Sequence, residues 1–318
     1  MRPHLTGPDG RQLGGLPKVL SAAAAMGTLG PVAALAYGEG VGPATFSALR
    51  AGIGAAILAA IVLGRHQPAV SIAALPSRQR ATLGLAVVVN GVMNLVLFFA
   101  FGAMAVGLVM AVFYLYPVLT ALMSAALGRE RLTPARLLAL AIACAGLALV
   151  LGSQLGPDAH ATAGGIALAG IAATCHAVYL VSIRGGFDDV PGVQATSLVL
   201  AGGLVISGTA ALVIGGPGLA GAWLGSPLAW AAILCAATLG ALPKGWVIGG
   251  VRLIGSTRAA VALLMEPVVA VVVAALVLDQ RLTAYELAGG AAILVAVVLA
   301  QRPARGAPGR VAVEAGTP

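Results

Sequence analysis

Charge is what this chain of 318 residues has least of: 18 Lys and Arg and 10 Asp and Glu make up 9% of it. An ordinary globular domain carries roughly 25% charged residues, and so few cannot cover a water-facing surface. Cysteine is scarce too, three residues in all, which excludes a secreted disulfide scaffold. No His-Glu-x-x-His pattern offers a zinc site. No Gly-rich turn ends in Lys followed by Ser or Thr, since Lys18 precedes Val19 and Lys244 precedes Gly245. Zinc-peptidase and phosphate-loop chemistry are thereby excluded, and no cofactor is expected. What the chain has in excess is apolar surface, with 60% hydrophobic residues and a mean hydropathy of +1.02. Disorder requires the opposite balance. The composition is that of a polytopic membrane protein, for which lipid is the solvent.

The placement of charge says the same. Residues 81–128, 137–157, 159–183 and 190–243 hold no Lys, Arg, Asp or Glu. A single helix over 81–128 would be about 72 Å long at 1.5 Å per residue, against a hydrocarbon core of roughly 30 Å, so that stretch crosses twice. Dividing the apolar runs at Gly, Pro and charge predicts an all-α membrane protein of ten spans: 18–37, 44–64, 81–101, 105–127, 134–153, 162–184, 193–214, 228–250, 257–278 and 284–301. Tails at 1–17 and 302–318 are expected to be unstructured. An N-terminal signal peptide fits poorly, because the first apolar stretch starts late and is too long. With the N-terminus inside, 15 Lys and Arg fall on the cytoplasmic side, and Arg281 alone falls outside. Both termini are then cytoplasmic and the protein sits in the cytoplasmic membrane. The basic balance is explained by loops held against an anionic leaflet, and no nucleic acid partner is implied.

An offset of 150 residues brings Pro117 onto Pro267 and Arg131-Leu132-Thr133 onto Arg281-Leu282-Thr283 without a gap; near the start of each half an offset of 148 brings Thr28 onto His176. Two units follow, 18–153 and 162–301, of five spans each. An odd number of spans inverts the second unit, and the turn charges agree. Arg129, Glu130, Arg131 and Arg136 are replaced by Asp279, Gln280, Arg281 and Glu286, so the copy has lost its inward bias. Inverted repeats are an architecture of secondary transporters, with a site near the midplane.

The segment from Tyr114 through Pro117 to Ala121, followed by Gly128-Arg129-Glu130-Arg131-Leu132-Thr133, resembles the repeat of the drug/metabolite transporter superfamily, EamA type. Its second copy is Leu264-Met265-Glu266-Pro267 with Leu278-Asp279-Gln280-Arg281-Leu282-Thr283, where Asp279-Gln280 stands in place of the usual Gly-Glu. The resemblance covers roughly residues 20–300. It implies transport of small metabolites, such as amino acids or drugs, by export or exchange.

Ionisable groups at bilayer depth each need a partner or a wet cavity. His176, Lys244 and Glu266 lie there, and the repeat sets them opposite Thr28, Asn94 and Tyr116. Facing the pseudo-two-fold axis is the least costly place for all six. Lys244 either meets a substrate carboxylate or forms an internal pair with Glu266. Glu266 binds an amine or a coupling proton, or caps freed backbone. Pro117 and Pro267 remove a backbone donor and bend their helices, which makes them candidate gating positions. Asn90 shares a face with Asn94 and either lines the cavity or serves as interhelical glue. His176 relays a proton or donates between helices, and Trp246 stacks on substrate or packs. Arg50 is expected to snorkel outward, with Glu39 as an alternative partner. Trp223 and Trp230 read as interfacial anchors. The glycines in spans permit close packing within the chain or, as a homodimer, between chains. An intramembrane enzyme lacks a paired aspartate or zinc pattern, and a channel lacks a filter sequence. The expected partners are the bilayer and a small-molecule substrate.

Overall fold

The computed structural model describes residues 8–64, 69–104, 106–130, 132–152, 161–214, 221–277 and 283–301, which are helical with no strand among them. The helices are α1 (Pro8–Gly27), α2 (Leu29–Gly38), α3 (Pro43–Gly64), α4 (Ser77–Ala103), α5 (Val106–Phe113), α6 (Tyr116–Ala126), α7 (Pro134–Gly152), α8 (Ala163–Ile183), α9 (Gly192–Ile214), α10 (Pro227–Ile254), α11 (Ser256–Leu263), α12 (Met265–Val277) and α13 (Ala284–Ala300). Among the described residues, seven segments are long and apolar enough to cross a bilayer: residues 43–64, 77–97, 108–126, 134–152, 163–183, 192–214 and 227–254; α13 is apolar but shorter. The expected segments 18–37 and 257–278 are each divided between two helices. Among the described residues, helix length and apolarity thus support seven of the ten expected spans. Large apolar side chains cover the outside, with Leu63, Leu212 and Val213 all more than 70% exposed. That arrangement is stable only where the surrounding medium is lipid.

The breaks have local causes. Proline lacks the N–H that would bond to the carbonyl four residues back, and its ring clashes with that carbonyl. Pro117 so disturbs Phe113, where α5 ends, and Pro267 disturbs Leu263, where α11 ends. Pro243 does not break α10, which runs on through Lys244 and Gly245. The N-terminal region departs from expectation, because α1 begins at Pro8 and not near residue 18. Gly15 accounts for the docking of this extension: a Cβ there would lie 2.5 Å from Ile254 Cγ2, so only glycine lets α1 approach the end of α10 this closely. Residues 1–7, 302–318 and the copied turn at 278–282 lie outside the described residues.

The 150-residue offset relates the elements themselves. Ser77 at the start of α4 maps to Pro227, α5 maps onto α11 from Val106/Ser256 to Phe113/Leu263, and Pro134 of α7 maps to Ala284 of α13. Even the single 3-10 turns before α4 and α10, Ile72–Ala74 and Ala222–Gly225, correspond. The packing follows the same relation. α4 lies on α8 as α10 lies on α1, α4 on α9 as α10 on α3, and α3 with α9 and α7 with α13 form their own mutual pairs. Such reciprocity is the mark of a pseudo-two-fold axis. One element breaks it, since α8 is continuous where its counterpart is interrupted at Thr28 between α1 and α2. The principal interfaces all join a helix of residues 8–152 to one of residues 163–301, and the largest apolar core draws on both, from Val19 and Tyr116 to Leu180, Val251 and Ile293.

The connecting segments separate into two ends. At one, the Val70 N–H donates to the Gln194 side-chain oxygen and the Gln194 side-chain NH2 donates to the Val70 carbonyl, Gln79 donates to Asp189, and Arg252 pairs with Asp188. Arg129 donates to the Arg184 carbonyl at the same end. At the other, Thr162 donates to the Ala103 carbonyl and Ser226 to Glu39. The arginine-rich loops are thus gathered together. Trp223 corrects its sequence reading, being 3% exposed and packed on Trp230 in a core with Ala36 and Phe46. Its indole, carried by the 3-10 turn, points into the protein and not to its surroundings.

Candidate functional site

Asn90 is the middle residue of α4 and Asn94 stands one turn further on, so both side chains point the same way. They connect two cations. Lys244 Nζ, on α10, donates to Asn90 Oδ1 at 2.9 Å. Arg50 Nη2, on α3, donates to Asn94 Oδ1 at 3.1 Å. Asn94 Nδ2 donates to the Asn90 carbonyl at 2.7 Å, which joins the two halves of the row. Lys and Arg have no acceptors, so the amide orientations are determined: each asparagine turns its oxygen to a cation. Lys244 and Asn90 are buried, and Arg50 and Asn94 remain partly accessible.

A second group lies beside this row. The ring of Tyr116, at the start of α6, meets His176 of α8 edge-on at 4.4 Å between centroids. Phe113 contacts both rings at 5.5 Å. His176 Nδ1 lies 3.0 Å from Met93 Sδ, and Tyr116 Oη donates to the Ala260 carbonyl at 3.4 Å, which ties the α5–α6 break to α11. Glu266, in the first turn of α12, is partly accessible and lies near Lys244, Tyr114 and Tyr116. No described cationic nitrogen lies within 4.0 Å of its carboxylate, so it forms no ion pair with Lys244.

Of the residues read from the sequence, Lys244, Asn90 and Asn94 are joined directly, and Tyr116, His176 and Glu266 stand around them. Thr28 sits at the α1–α2 break with its hydroxyl bonded back to the Ala25 carbonyl at 2.7 Å. The neighbouring Gly27 presses on the Glu266 carbonyl, which a Cβ would approach to 2.6 Å. Pro117 and Pro267 are buried in the first turns of α6 and α12. Trp246 is not brought in: it is 45% exposed, and a residue two places along a helix faces away from Lys244.

Against this geometry, the sequence profile of the EamA-like transporter family matches the chain twice, over residues 13–152 and 163–301. The chain belongs to the EamA-like transporter family. It is thereby a multi-pass membrane protein of the drug/metabolite transporter superfamily, whose members move small solutes. None of the curated proteins compared matches it in sequence. Among solved structures, one described only as the crystal structure of a protein superposes with a TM-score of 0.73 over 90% of this chain and 96% of its own. At 23% identity that likeness speaks for the fold alone.

Two groups of this EamA-like transporter escaped the sequence. Arg50 neither snorkels nor pairs with Glu39, which instead accepts from Ser226 at 2.6 Å. Gly240 on α10 makes room for the guanidinium, since a Cβ there would lie 2.8 Å from Arg50 Nη1. The second group is built on Glu130, whose side chain is 2% exposed. It accepts from Arg184 Nη1 at 2.8 Å, from Ser256 Oγ at 3.1 Å and from the Thr257 N–H at 3.4 Å, and pairs with Arg136 at 3.5 Å. A carboxylate is favoured at this helix start by the exposed N–H groups of α11. Gly255 permits the approach twice over: its φ is +91°, and a Cβ would lie 2.7 Å from Glu130 Oε1. Glu130 therefore ties the α6–α7 turn to the end of α8 and the start of α11 at the arginine-rich end.

Proposed function

We propose that the protein is a secondary transporter that exports small amino-acid-like or drug-like solutes across the cytoplasmic membrane. It works by alternating access between two inverted five-span halves, with both termini in the cytoplasm. The observation that carries this reading is the polar row Arg50, Asn94, Asn90 and Lys244. It is drawn from both halves at the middle of α4, with Glu266 nearby. Polar groups at such depth mark a solute pathway. The broken helices beside it, α5–α6 and α11–α12, are equivalent under the repeat, as in transporters whose discontinuous helices flank the site. Ten spans follow if α1–α2 and α11–α12 each cross as one broken segment. The Glu130 group then acts as the inner gate, closed in this state, because it joins the two halves at the end where the positive charges lie. Glu266 is placed to carry a coupling proton.

The test is solute movement by the purified protein in proteoliposomes, followed as counterflow of a labelled solute. The expected outcome is saturable exchange that falls to background in Lys244→Gln and at least about tenfold in Glu266→Gln, as for loss of a buried charged contact. A carrier whose two variants exchange like wild type would remove both residues from the pathway. Unitary currents at channel rates would replace the carrier reading with a channel.

A further inference from the structure

The row at the centre of the fold is rich in donors and short of acceptors. Lys244 has three N–H groups and Arg50 five, yet among the described residues each makes one hydrogen bond, and each of these goes to an asparagine oxygen. The Asn90 oxygen faces Lys244, so its other terminal atom is the NH2 group. That Nδ2 is buried with no hydrogen-bond partner, on a residue 1% exposed. A buried, unpartnered donor in a native structure calls for a physical reason. The charges point the same way, since the row holds two cations, and the carboxylate nearest Lys244, that of Glu266, is not within 4.0 Å of either. One positive charge is left uncompensated in a region where lipid and apolar side chains give it little solvation. Gly240 preserves the arrangement by leaving Arg50 the space to reach inward.

We propose that Arg50, Lys244 and the Asn90 amide together seat the anionic group of the transported solute, so that the class carried is a small carboxylate or phosphate. A planar guanidinium and an ammonium separated by two asparagines suit an oxyanion, with Arg50 supplying a fork and Lys244 a point charge. The Asn90 N–H groups complete the seat. This rests on the transporter reading above, to which it adds the chemistry of the cargo.

The experiment is thermal unfolding of the purified full chain in detergent, titrated with matched pairs: acetate and acetamide, succinate and succinamide, L-leucine and L-leucinamide, with inorganic phosphate as a separate arm. Binding to the folded state alone stabilises it by RT ln(1 + [L]/Kd), so the midpoint rises with the concentration of a ligand that binds. The expected stabilisers are acids and not their amides, and the two arms tell a carboxylate seat from a phosphate seat. Arg50→Gln and Lys244→Gln should each weaken the binding about thirtyfold or more. Because either variant can fail to fold, Asn90→Asp serves as the second: a carboxylate supplied by the protein between the two cations should raise the ligand-free midpoint and abolish anion binding. If amides stabilise as well as acids, if no acid or phosphate stabilises, or if Asn90→Asp lowers the midpoint and leaves anion binding intact, the proposal is overturned. Counterflow separates this from the transporter reading. Exchange of neutral solutes unaffected by Arg50→Gln would sink the anion seat and keep the carrier. Anion binding by a protein that moves no bound solute would do the reverse.

Discussion

Gly240 decides where Arg50 can sit. The guanidinium is the flexible far end of its side chain, so a methyl group at 240 displaces it without breaking the fold, whereas the helix itself gains about 1 kcal/mol when Ala replaces Gly. Gly240→Ala is therefore expected to leave the unfolding midpoint unchanged or higher while raising the half-saturation concentration for solute about tenfold. Gly245→Ala is the control on the same helix. There the nearest atom to a new Cβ is Thr196 Oγ1 at 3.8 Å, an ordinary contact, and transport should stay at the wild-type level. Equal behaviour of the two variants in counterflow would show that the position of Arg50 does not matter to the cargo.

The equivalent breaks between α5 and α6 and between α11 and α12 leave the backbone at Tyr114-Leu115 and at Leu264 outside regular helix. Near the first break, hydrogen bonds of the shorter kind run from Leu115 to Val112 and from Val118 to Leu115. Such tightened turns at helix ends mark where a helix can bend. Pro117→Ala restores the missing N–H opposite the Phe113 carbonyl and lets the two helices join. The expected effect is a turnover reduced about tenfold with the half-saturation concentration within about twofold of wild type, since a hinge acts on the conformational step and not on binding. Amide hydrogen exchange across 110–118 should slow in the variant. Unchanged turnover with unchanged exchange would mean that the breaks position Tyr116 and Glu266 and do not move.

The largest core of the molecule is built from both halves. Because α4 packs on α8, α1 on α10, α3 on α9 and α7 on α13, either half alone would present its packing faces to lipid with none of these partners. The close approach of α7 and α13 shows how specific the fit is: a Cβ on Gly146 would lie 2.6 Å from the Gly289 carbonyl, and one on Gly289 would lie 2.5 Å from that of Gly146. Small residues let transmembrane backbones meet in this way, and packing is what holds such helices together. Fragments 1–152 and 161–318 expressed separately should each be degraded, whereas the two expressed together should accumulate and co-purify. Stable accumulation of one fragment by itself would mean that a half folds independently.

The helical class, the position of most helices and the repeat were legible in the residues, because a bilayer obliges every spanning segment to satisfy its backbone within itself and so to declare its length in apolar residues. The turn at Tyr114 and Pro117 and its copy at Leu264 and Pro267 were legible for the same local reason, the chemistry of proline. Lys244, Asn90 and Asn94 were marked by their cost at that depth. What they bond to was not, because partners lie 154 residues apart for Lys244 and Asn90 and 44 for Arg50 and Asn94. Arg50 was assigned to the surface because a cation near a span end commonly snorkels, and only the packing of α3 against α10 at Gly240 turned it inward. Glu130 showed in the sequence only as one charge in a basic turn. Its burial between Arg184 and the start of α11 arises from how α6, α8 and α11 meet, a relation between distant segments that no local pattern encodes.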